Sequence, residues 1–363
     1  MDGSLSEAIR RHAIRYPLMQ PQDAVKLVYQ NEFGGGHLVE DEEKSMERLR
    51  DEYEAVRGLE APEMYETIGN GYGRLNLSAL DPREIPLERV NRVWIESARE
   101  NRGTTRGFFA KLDELEQIAG EGVFRFAGKQ LAEFLAEYKT RGEFMIGHSR
   151  EFREAYHPAY RVVQGTAVQL WPALREVERS LAKGRAVIAV EGNSAAGKTT
   201  AAGMLGRIYD TGVVHMDDFF LPVSRRGSGW EKPGGNIDYE RFREEVARPL
   251  ECGEEINYRI FSCMKGEYTG VKRVKKSSVI FIEGAYSMHP GTGIRYDAAL
   301  FLKVSAAEQK RRILDRDGQA GWEVFSAQWI PREHAYFTKF GIEQKCGVTI
   351  ENFGGSMRED EAF

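Results

Sequence analysis

Residues 192–199 match the pattern G-x-x-x-x-G-K-[ST] at every fixed position, since they read Gly192-Asn193-Ser194-Ala195-Ala196-Gly197-Lys198-Thr199. An apolar run, AVIAV at 186–190, comes directly before them and predicts a strand buried on both faces. Small residues allow the backbone to wrap closely around a phosphate group, and the positive end of a following helix favours its charge. The stretch therefore predicts a phosphate-binding loop between a strand and a helix.

Three side chains of this loop and the helix after it predict the ligands. We expect the Lys198 ammonium to reach the β and γ phosphates of a nucleotide, and the Thr199 hydroxyl to coordinate the magnesium ion that bridges them. Thr200 comes next in the sequence and is expected to help bind the nucleotide. The predicted cofactors are therefore ATP and Mg2+, although a loop that reads phosphates does not itself distinguish ATP from GTP.

Strand-like runs alternate with helical stretches around the loop. Strands are predicted at VVHM, SVIFIEG and AALFLKV, and helices at residues 238–250 and 306–314. This alternation indicates a parallel sheet with helices on both faces. We assign residues 166–363 to this α/β domain. Residues 1–165, where apolar residues recur at three- and four-residue spacings, are predicted to form a mainly α-helical domain.

Carboxylates at the ends of two predicted strands narrow the class of P-loop protein. Asp217 and Asp218 belong to VVHMDD, and Glu283 belongs to SVIFIEG. A carboxylate beside the γ phosphate can accept the proton of an attacking hydroxyl, and one at a strand end can hold magnesium or position an acceptor. Acidic caps and turns are the structural alternative. The guanine-reading motif N-K-x-D and the transporter signature L-S-G-G-Q do not occur in the sequence.

Taken in order, these motifs resemble a known group of enzymes. From residue 186 to about 352 the chain resembles P-loop kinases of the uridine kinase, phosphoribulokinase and pantothenate kinase group, with EGNSAAGKTT, MDDFF, GNIDYERF, VIFIEG and KRRILDRDG. The resemblance implies an ATP-dependent phosphotransferase that acts on a hydroxyl of a small molecule, with Asp217 as general base. It also implies that Asn236 and Asp238 line the acceptor pocket, where we expect Asp218 to bind substrate as well.

The arginine-rich run forms a lid over the phosphates in that group. Its implied counterparts here are Arg311, Arg312 and Arg316. We expect Arg312 to stabilise the transferred phosphoryl group and Arg316 to bind the nucleotide, while simple solvation on a helix surface is the alternative for all three.

The sequence departs from the group in the region that selects the acceptor. Uridine kinases read N-F-D-H-P, whereas Tyr239 occupies the histidine position here, and YRIF at 258–261 replaces a Y-D-F motif that contacts the base. We expect Tyr258 and Arg259 to contact the acceptor. Arg259 and Lys265 would suit an anionic acceptor, such as a phosphorylated sugar, and the alternative is that they are surface charges.

Composition limits the partners of the protein. The 363 residues carry a formal net charge of -5, three cysteines without a CxxC pair, and no apolar run long enough to span a membrane. We predict a cytoplasmic protein that binds a nucleoside triphosphate and a small-molecule acceptor, without a membrane partner and without a bulk affinity for nucleic acid.

The N-terminal half carries no motif that is tied to a particular chemistry. Its most unusual run is YQNEFGGGH at 29–37, in which three glycines more often end a helix than contact a ligand. Recognition of the acceptor, formation of a homodimer and a second activity all remain open roles for this half.

Three functions agree with these observations. The first is a kinase for a nucleoside or a related metabolite, and the second is a nucleotide-gated regulatory protein with ATPase activity. The third is a kinase whose macromolecular acceptor is presented by the N-terminal half. An acceptor pocket separates the first from the second, because a switch requires a group that orients water but no such pocket.

Overall fold

The computed structural model of the protein describes residues 4–35, 41–60, 63–99, 103–141, 144–263 and 265–355. These residues form two units, which meet in the sequence between Gln169 and Leu170. Gly36 and His37 of the glycine-rich run lie outside the described residues. Within the described part of the chain, no helix is both long enough and apolar enough to cross a membrane.

Helices dominate the N-terminal unit, as the sequence predicts. They are α1 Leu5–Arg15, α2 Pro21–Phe33, α3 Glu42–Val56, α4 Leu87–Arg99, α5 Thr105–Gly120, α6 Gly128–Tyr138, α7 Arg150–Tyr156 and α8 Gly165–Gln169. The apolar periodicity does not predict the antiparallel sheet that accompanies them, in the order β1-β2-β3, formed by β1 Tyr65–Gly69, β2 Tyr72–Asn76 and β3 Tyr160–Gln164. Strands of five residues show too few alternations to be recognised in a helical context.

A buried polar network connects α2 to the sheet of this unit. His148 lies between the Asp23 carboxylate, 2.8 Å from its Nδ1, and the Tyr160 hydroxyl, 2.6 Å from its Nε2. Arg74 is buried over the ring of Tyr160 and donates twice to the Gln30 side-chain oxygen. Buried polar groups that are paired in this way stabilise one specific packing arrangement. The network therefore accounts for these groups as parts of the fold.

The C-terminal unit is built on a parallel sheet, which confirms the predicted α/β class. Its strands lie in the order β10-β9-β4-β8-β5, and every neighbouring pair is parallel. The strands are β4 Ala186–Gly192, β5 Val213–His215, β8 Val279–Glu283, β9 Ala298–Lys303 and β10 Val348–Glu351. A separate antiparallel hairpin is formed by β6 Ile256–Ser262 and β7 Glu267–Val274.

The same unit contains seven helices among its described residues. They are α9 Trp171–Leu181, α10 Lys198–Ile208, α11 Tyr239–Phe242, α12 Arg248–Cys252, α13 Ala306–Val324, α14 Ile330–Phe340 and α15 Ile342–Lys345. The helix predicted at 238–250 is in fact α11 and α12 joined by the π-helical segment Arg243–Ala247. The helix predicted at 306–314 continues to Val324, but its backbone breaks at Gly318, where φ is 69° and ψ is -171°.

Gly192 ends the central strand in a conformation that requires glycine. Its φ is 141°, in a region that residues with a Cβ rarely adopt. A Cβ at this position would lie 2.0 Å from the carbonyl oxygen of Leu302, the residue that pairs with Gly192 on β9. The loop can therefore leave the sheet only because the two backbones approach without a side chain between them.

We predict that Gly192→Ala lowers the free energy of unfolding of the C-terminal unit by about 2–5 kcal/mol, because it adds a backbone clash to a positive φ. Thermal or urea denaturation measures this loss. Gly227→Ala is the matched control, since no atom lies within 4 Å of a Cβ built on Gly227. Equal stabilities of the two variants would contradict the prediction.

Candidate nucleotide and acceptor site

The phosphate-binding loop has the geometry that its sequence predicts. It leaves β4 at Gly192, and Gly197 caps the N-terminus of α10 in a left-handed conformation with φ 90°. The Lys198 ammonium lies over the loop, 2.9 Å from the Gly192 carbonyl oxygen and 2.8 Å from that of Asn193. A cation held at this position faces the space that the loop encloses, where phosphate charge is favoured.

Two predicted metal ligands lie together at the edge of the sheet. The Thr199 hydroxyl donates to the Glu283 carboxylate at 3.1 Å. Glu283 ends β8, between Val190 of β4 and His215 of β5 in the strand register. Magnesium prefers oxygen ligands and usually takes only one or two from the protein, with water and phosphate oxygens completing its shell. Thr199 and Glu283 fit that requirement.

His215 is a site residue that the motif analysis does not single out. Its Nδ1 lies 2.6 Å from the same Glu283 oxygen that accepts the hydrogen bond from Thr199. A histidine that donates to a ligating carboxylate fixes its orientation, as outer-shell residues commonly do at metal sites. The only sequence signal is its place in VVHMDD, two residues before Asp217.

Asp217 lies directly after β5, in the 3-10 helix Met216–Phe219. Asp217 is an exposed residue, but partial loss of hydration raises the pKa of its carboxyl to about 6; the negative charges of Glu283 and Glu333 act in the same direction, while Lys198 opposes them. The carboxyl is therefore ionised at neutral pH, and it has a higher proton affinity than an isolated aspartate in water.

The side chains of Tyr258 and Asp218 are hydrogen-bonded to each other. The Tyr258 hydroxyl donates to the Asp218 carboxylate at 3.0 Å and accepts a hydrogen bond from the backbone N–H of His215. The Tyr258 ring is buried, with its centroid 5.0 Å from that of Phe219. These contacts hold the segment that carries Asp217, and they occupy the hydroxyl of Tyr258, a residue that the sequence suggests as an acceptor contact.

The acceptor segment is buried against the same 3-10 helix. Asp238 caps α11 by accepting from the Arg241 backbone N–H, and it forms an ion pair with Arg225. Asn236 is buried, and its side-chain nitrogen has no hydrogen-bond partner among the described residues. Asp238 therefore has a structural role as a helix cap and ion-pair partner. The Asn236 side-chain nitrogen has no partner among the described residues and can donate a hydrogen bond to a ligand.

The predicted lid arginines divide into two kinds. Arg312 reaches the phosphate-binding loop, where its Nη1 donates to the Ala195 carbonyl oxygen at 3.2 Å while its Nε donates to Glu308. Arg311 is paired with Glu308, and Arg316 is paired with Asp317, both on the exposed helix surface. In this arrangement the structure places only Arg312 of the three at the loop.

Arg259 and Lys265, which the sequence suggests for an anionic acceptor, lie on the surface of the unit. Arg259 is half-exposed and pairs with Glu245, with 2.5 Å between Nη2 and Oε1. Lys265 is exposed on the turn that joins β6 to β7. Neither side chain is brought to the loop, so the anionic acceptor that they suggest stays a prediction from sequence.

A carboxylate from a distant helix contacts the phosphate-binding loop. Glu333 of α14 is buried and accepts from both the backbone N–H of Ser194, at 2.9 Å, and the Ser194 hydroxyl. The Gln309 amide of α13 donates to the Ser194 carbonyl oxygen at 2.9 Å. No sequence signal identifies Glu333, because it stands in an amphipathic helix far from every motif.

Glu191, the residue before the loop, carries a buried carboxyl. Its Oε1 accepts from the Tyr336 hydroxyl at 2.7 Å and from the Met288 backbone N–H at 2.9 Å. Burial raises its pKa to about 7, against the opposing effect of these two donors and of Lys198. The sequence does not predict this buried carboxyl, because Glu191 lies at the end of an apolar strand.

Two hydroxyls beside Glu191 lack partners among the residues that the structure describes. Tyr239 and Tyr286 each bury a side-chain oxygen that has no hydrogen-bond partner there. Tyr239 stacks on His289 with a centroid distance of 4.4 Å, and Tyr286 packs against Tyr336 at 4.9 Å. Unsatisfied buried polar groups cost about 1–3 kcal/mol each, so a group of them is typical of a site that a polar ligand completes.

Comparisons with known proteins give structural likenesses only. No family model and no curated protein match the chain. One similar structure comes from Silicibacter sp. TM1040, with 20% identity and TM-score 0.39 over 48% of this chain and 95% of that one; its assignment as a fructose transport system kinase is provisional. Another, described as a possible uridine kinase from Bacillus stearothermophilus, has 18% identity and TM-score 0.34 over 48% and 99%. These likenesses cover about half of this chain and assign it no substrate.

We predict that Glu191→Gln stabilises the C-terminal unit at pH 8 but not at pH 5. The folded-state pKa of about 7 exceeds the ordinary value of 4.5, so the folded protein binds more protons than the unfolded chain between these values, and stability falls as pH rises through them. Glutamine removes this loss, which is worth at most about 3 kcal/mol.

Chemical denaturation of both proteins at the two pH values measures the effect of Glu191→Gln. The control is Glu254→Gln, at an exposed position of the same unit. A gain from Glu191→Gln that is the same at pH 5 and pH 8 would mean that the Glu191 carboxyl is ionised throughout.

Proposed function

We propose that the C-terminal unit is an ATP- and Mg2+-dependent phosphotransferase that moves the γ-phosphoryl group to a hydroxyl of a small molecule. The observation that carries this proposal is the position of the Asp217 carboxylate, which follows β5 at the carboxyl edge of the sheet and lies within electrostatic reach of Lys198 at the mouth of a complete phosphate-binding loop. A hydroxyl held between these two groups faces its base on one side and the phosphate position on the other.

The loop and its cations stabilise charge in this mechanism. Backbone N–H groups of residues 197–199 and the positive end of α10 bind the phosphates. Lys198 moves from the carbonyl oxygens of Gly192 and Asn193 to the β and γ phosphates, and Arg312 approaches the same charge from α13. Such preorganised donors act mainly on the transition state, because negative charge redistributes there during transfer.

Asp217 acts as general base in this proposal. Its pKa of about 6 leaves it ionised at neutral pH, with a proton affinity closer to that of the attacking hydroxyl than an isolated aspartate in water has. The proton of the attacking hydroxyl passes to this carboxylate as the oxygen bonds to the γ phosphorus, and the bond from that phosphorus to the β–γ bridging oxygen breaks and releases ADP. Tyr258 and Asp218 support the segment that carries the base.

Thr199 and Glu283 would hold the magnesium ion. When bound, the ion neutralises phosphate charge and fixes the geometry of the nucleotide. His215 orients Glu283, since its ring shares the carboxylate oxygen with the Thr199 hydroxyl. The hydroxyls of Tyr239 and Tyr286, which are buried without partners among the described residues, favour transfer to an acceptor over a nucleotide-gated switch, because a switch needs no second polar pocket.

We expect Lys198→Ala to lower kcat for ATP-dependent phosphorylation at least about 100-fold, because the variant lacks the ammonium that compensates the transferred charge. Steady-state ADP release with acceptor measures this loss. Lys183→Ala, at an exposed lysine before β4, should leave kcat unchanged. An unaltered kcat in Lys198→Ala would contradict the proposed function.

Asp217→Asn separates catalysis from nucleotide binding. We expect acceptor-dependent turnover to fall at least about 100-fold, because the amide cannot accept the hydroxyl proton. Calorimetric affinity for Mg-ATP should be retained, since Asp217 is not part of the loop. If turnover of Asp217→Asn stays within tenfold of that of the natural protein, another group is the base.

A further inference from the structure

Ala195, in the middle of the phosphate-binding loop, has a left-handed backbone conformation. Its φ is 60°, whereas a residue with a Cβ strongly prefers negative values, because at positive φ the Cβ comes too close to the following carbonyl oxygen. Glycine adopts such a conformation freely. The surrounding structure must therefore hold Ala195 in a conformation that alanine does not favour by itself.

The shape of the loop depends on this conformation. Three residues of the loop have a positive φ, with values of 141° at Gly192, 60° at Ala195 and 90° at Gly197, and Ala195 is the one that carries a side chain. Left-handed residues turn successive backbone N–H groups towards a common centre, where an anion binds. A return of Ala195 to negative φ would redirect the chain between the end of β4 and the start of α10, and the loop would no longer enclose a phosphate group.

Two buried side chains hold Ser194, the residue before Ala195. The Gln309 amide of α13 donates to the Ser194 carbonyl oxygen at 2.9 Å. The Glu333 carboxylate of α14 accepts from the Ser194 backbone N–H at 2.9 Å and from the Ser194 hydroxyl. Both Gln309 and Glu333 are only 5% exposed. The N–H, the carbonyl and the hydroxyl of Ser194 are therefore all engaged by side chains that have little freedom to move.

The hydrogen bond from Gln309 acts directly on the conformation of Ala195. The Ser194 carbonyl and the Ala195 N–H belong to one trans peptide unit, in which they point in opposite directions. If the chain on either side stays in place, a change in the φ of Ala195 rotates this peptide unit. That rotation would withdraw the Ser194 carbonyl oxygen from the Gln309 amide, so this bond favours the positive φ.

Arg312 and Lys198 also bond to carbonyl oxygens of the loop, at distances between 2.8 and 3.2 Å. In the proposed mechanism both cations turn to the phosphates, so these bonds are exchanged when the nucleotide binds. Gln309 and Glu333 have no such second role there. They can hold the loop both before and after the nucleotide binds.

We propose that Gln309 and Glu333 are positioning residues for the nucleotide, because together they hold Ser194 so that Ala195 keeps the positive φ that phosphate binding requires. This inference rests on the proposed function and adds two residues to its nucleotide site. It also gives a reason for a buried carboxylate beside a phosphate-binding loop, where its charge by itself would only repel the ligand.

The experiment is a double-mutant cycle in the full-length protein, with the affinity for Mg-ATP measured by calorimetry. Gln309→Met removes one bond to Ser194, and Glu333→Gln replaces an acceptor oxygen with a donor. Each variant is made with and without Ala195→Gly. We expect Ala195→Gly to strengthen binding about tenfold in either variant, and less than about threefold in the natural protein, since glycine needs no support at positive φ. The charge lost in Glu333→Gln cancels, because both members of that comparison lack it.

Two further variants are controls for this cycle. Ala196→Gly adds flexibility to the loop at a buried residue whose φ is negative, so it should not restore the affinity of Gln309→Met. Gln319→Met, at an exposed position of α13, should leave the affinity for Mg-ATP unchanged.

Steady-state kinetics of Gln309→Met give a second readout. The KM of ATP should rise, while kcat stays within about threefold and the KM of the acceptor is unchanged, because the loss concerns nucleotide binding alone. A merely structural role of Gln309 would lower stability without this selective effect on ATP.

The outcomes separate this inference from the proposed function. An equal effect of Ala195→Gly in all three backgrounds, or an equal rescue by Ala196→Gly, overturns the inference and leaves the proposed kinase intact. Failure of the natural protein to bind Mg-ATP overturns the proposed function and this inference with it. Gln309→Met and Glu333→Gln each complete a cycle of their own, so if one variant does not fold, the other still decides.

Discussion

The parallel register of three neighbouring strands determines the site. β8 pairs in parallel with both β4 and β5, so the carboxyl ends of these three strands lie at one edge of the sheet. That edge carries the phosphate-binding loop after β4, Glu283 at the end of β8, and the segment with His215 and Asp217 at the end of β5. Carboxyl ends of parallel strands always share an edge, which is where open α/β sheets bind ligands. A slip of one residue in β8 would turn Glu283 away from Thr199 and leave a buried carboxylate without a partner.

The electrostatics of this edge are unbalanced in the protein alone. Loss of hydration raises the pKa values of the buried Glu191 carboxyl and of the Asp217 carboxyl, and Glu333 adds its charge at the loop. Lys198 is the cation that offsets both titrating groups. Such clustering lowers stability and is typical of a functional site, where bound cations and hydrogen-bond donors complete the balance.

The sequence predicts the loop, the parallel sheet and the strand-end acids because each depends on local order or on strand direction. It does not predict that Glu333 contacts the loop, because a glutamate in the sequence of an amphipathic helix is indistinguishable from a solvent-exposed one. The role of Glu191 is not predicted either, because this acid lies within an apolar strand and carries no motif of its own. Tyr258 shows a further limit: its residue type suits a ligand, but tertiary packing gives its hydroxyl to Asp218. In the N-terminal unit, strands of five residues carry too little periodicity to be seen.

The break at Gly318 separates two helical arms that hold consecutive residues of the same loop. Before the break, Gln309 and Arg312 bond to the carbonyl oxygens of Ser194 and Ala195; after it, Glu333 bonds to the N–H and hydroxyl of Ser194. Each inserted or deleted residue between the arms would rotate the second arm by about 100° relative to the first. The length of the segment from 318 to 330 is therefore under tighter constraint than its composition, so homologous chains should vary there by substitution and not by insertion or deletion.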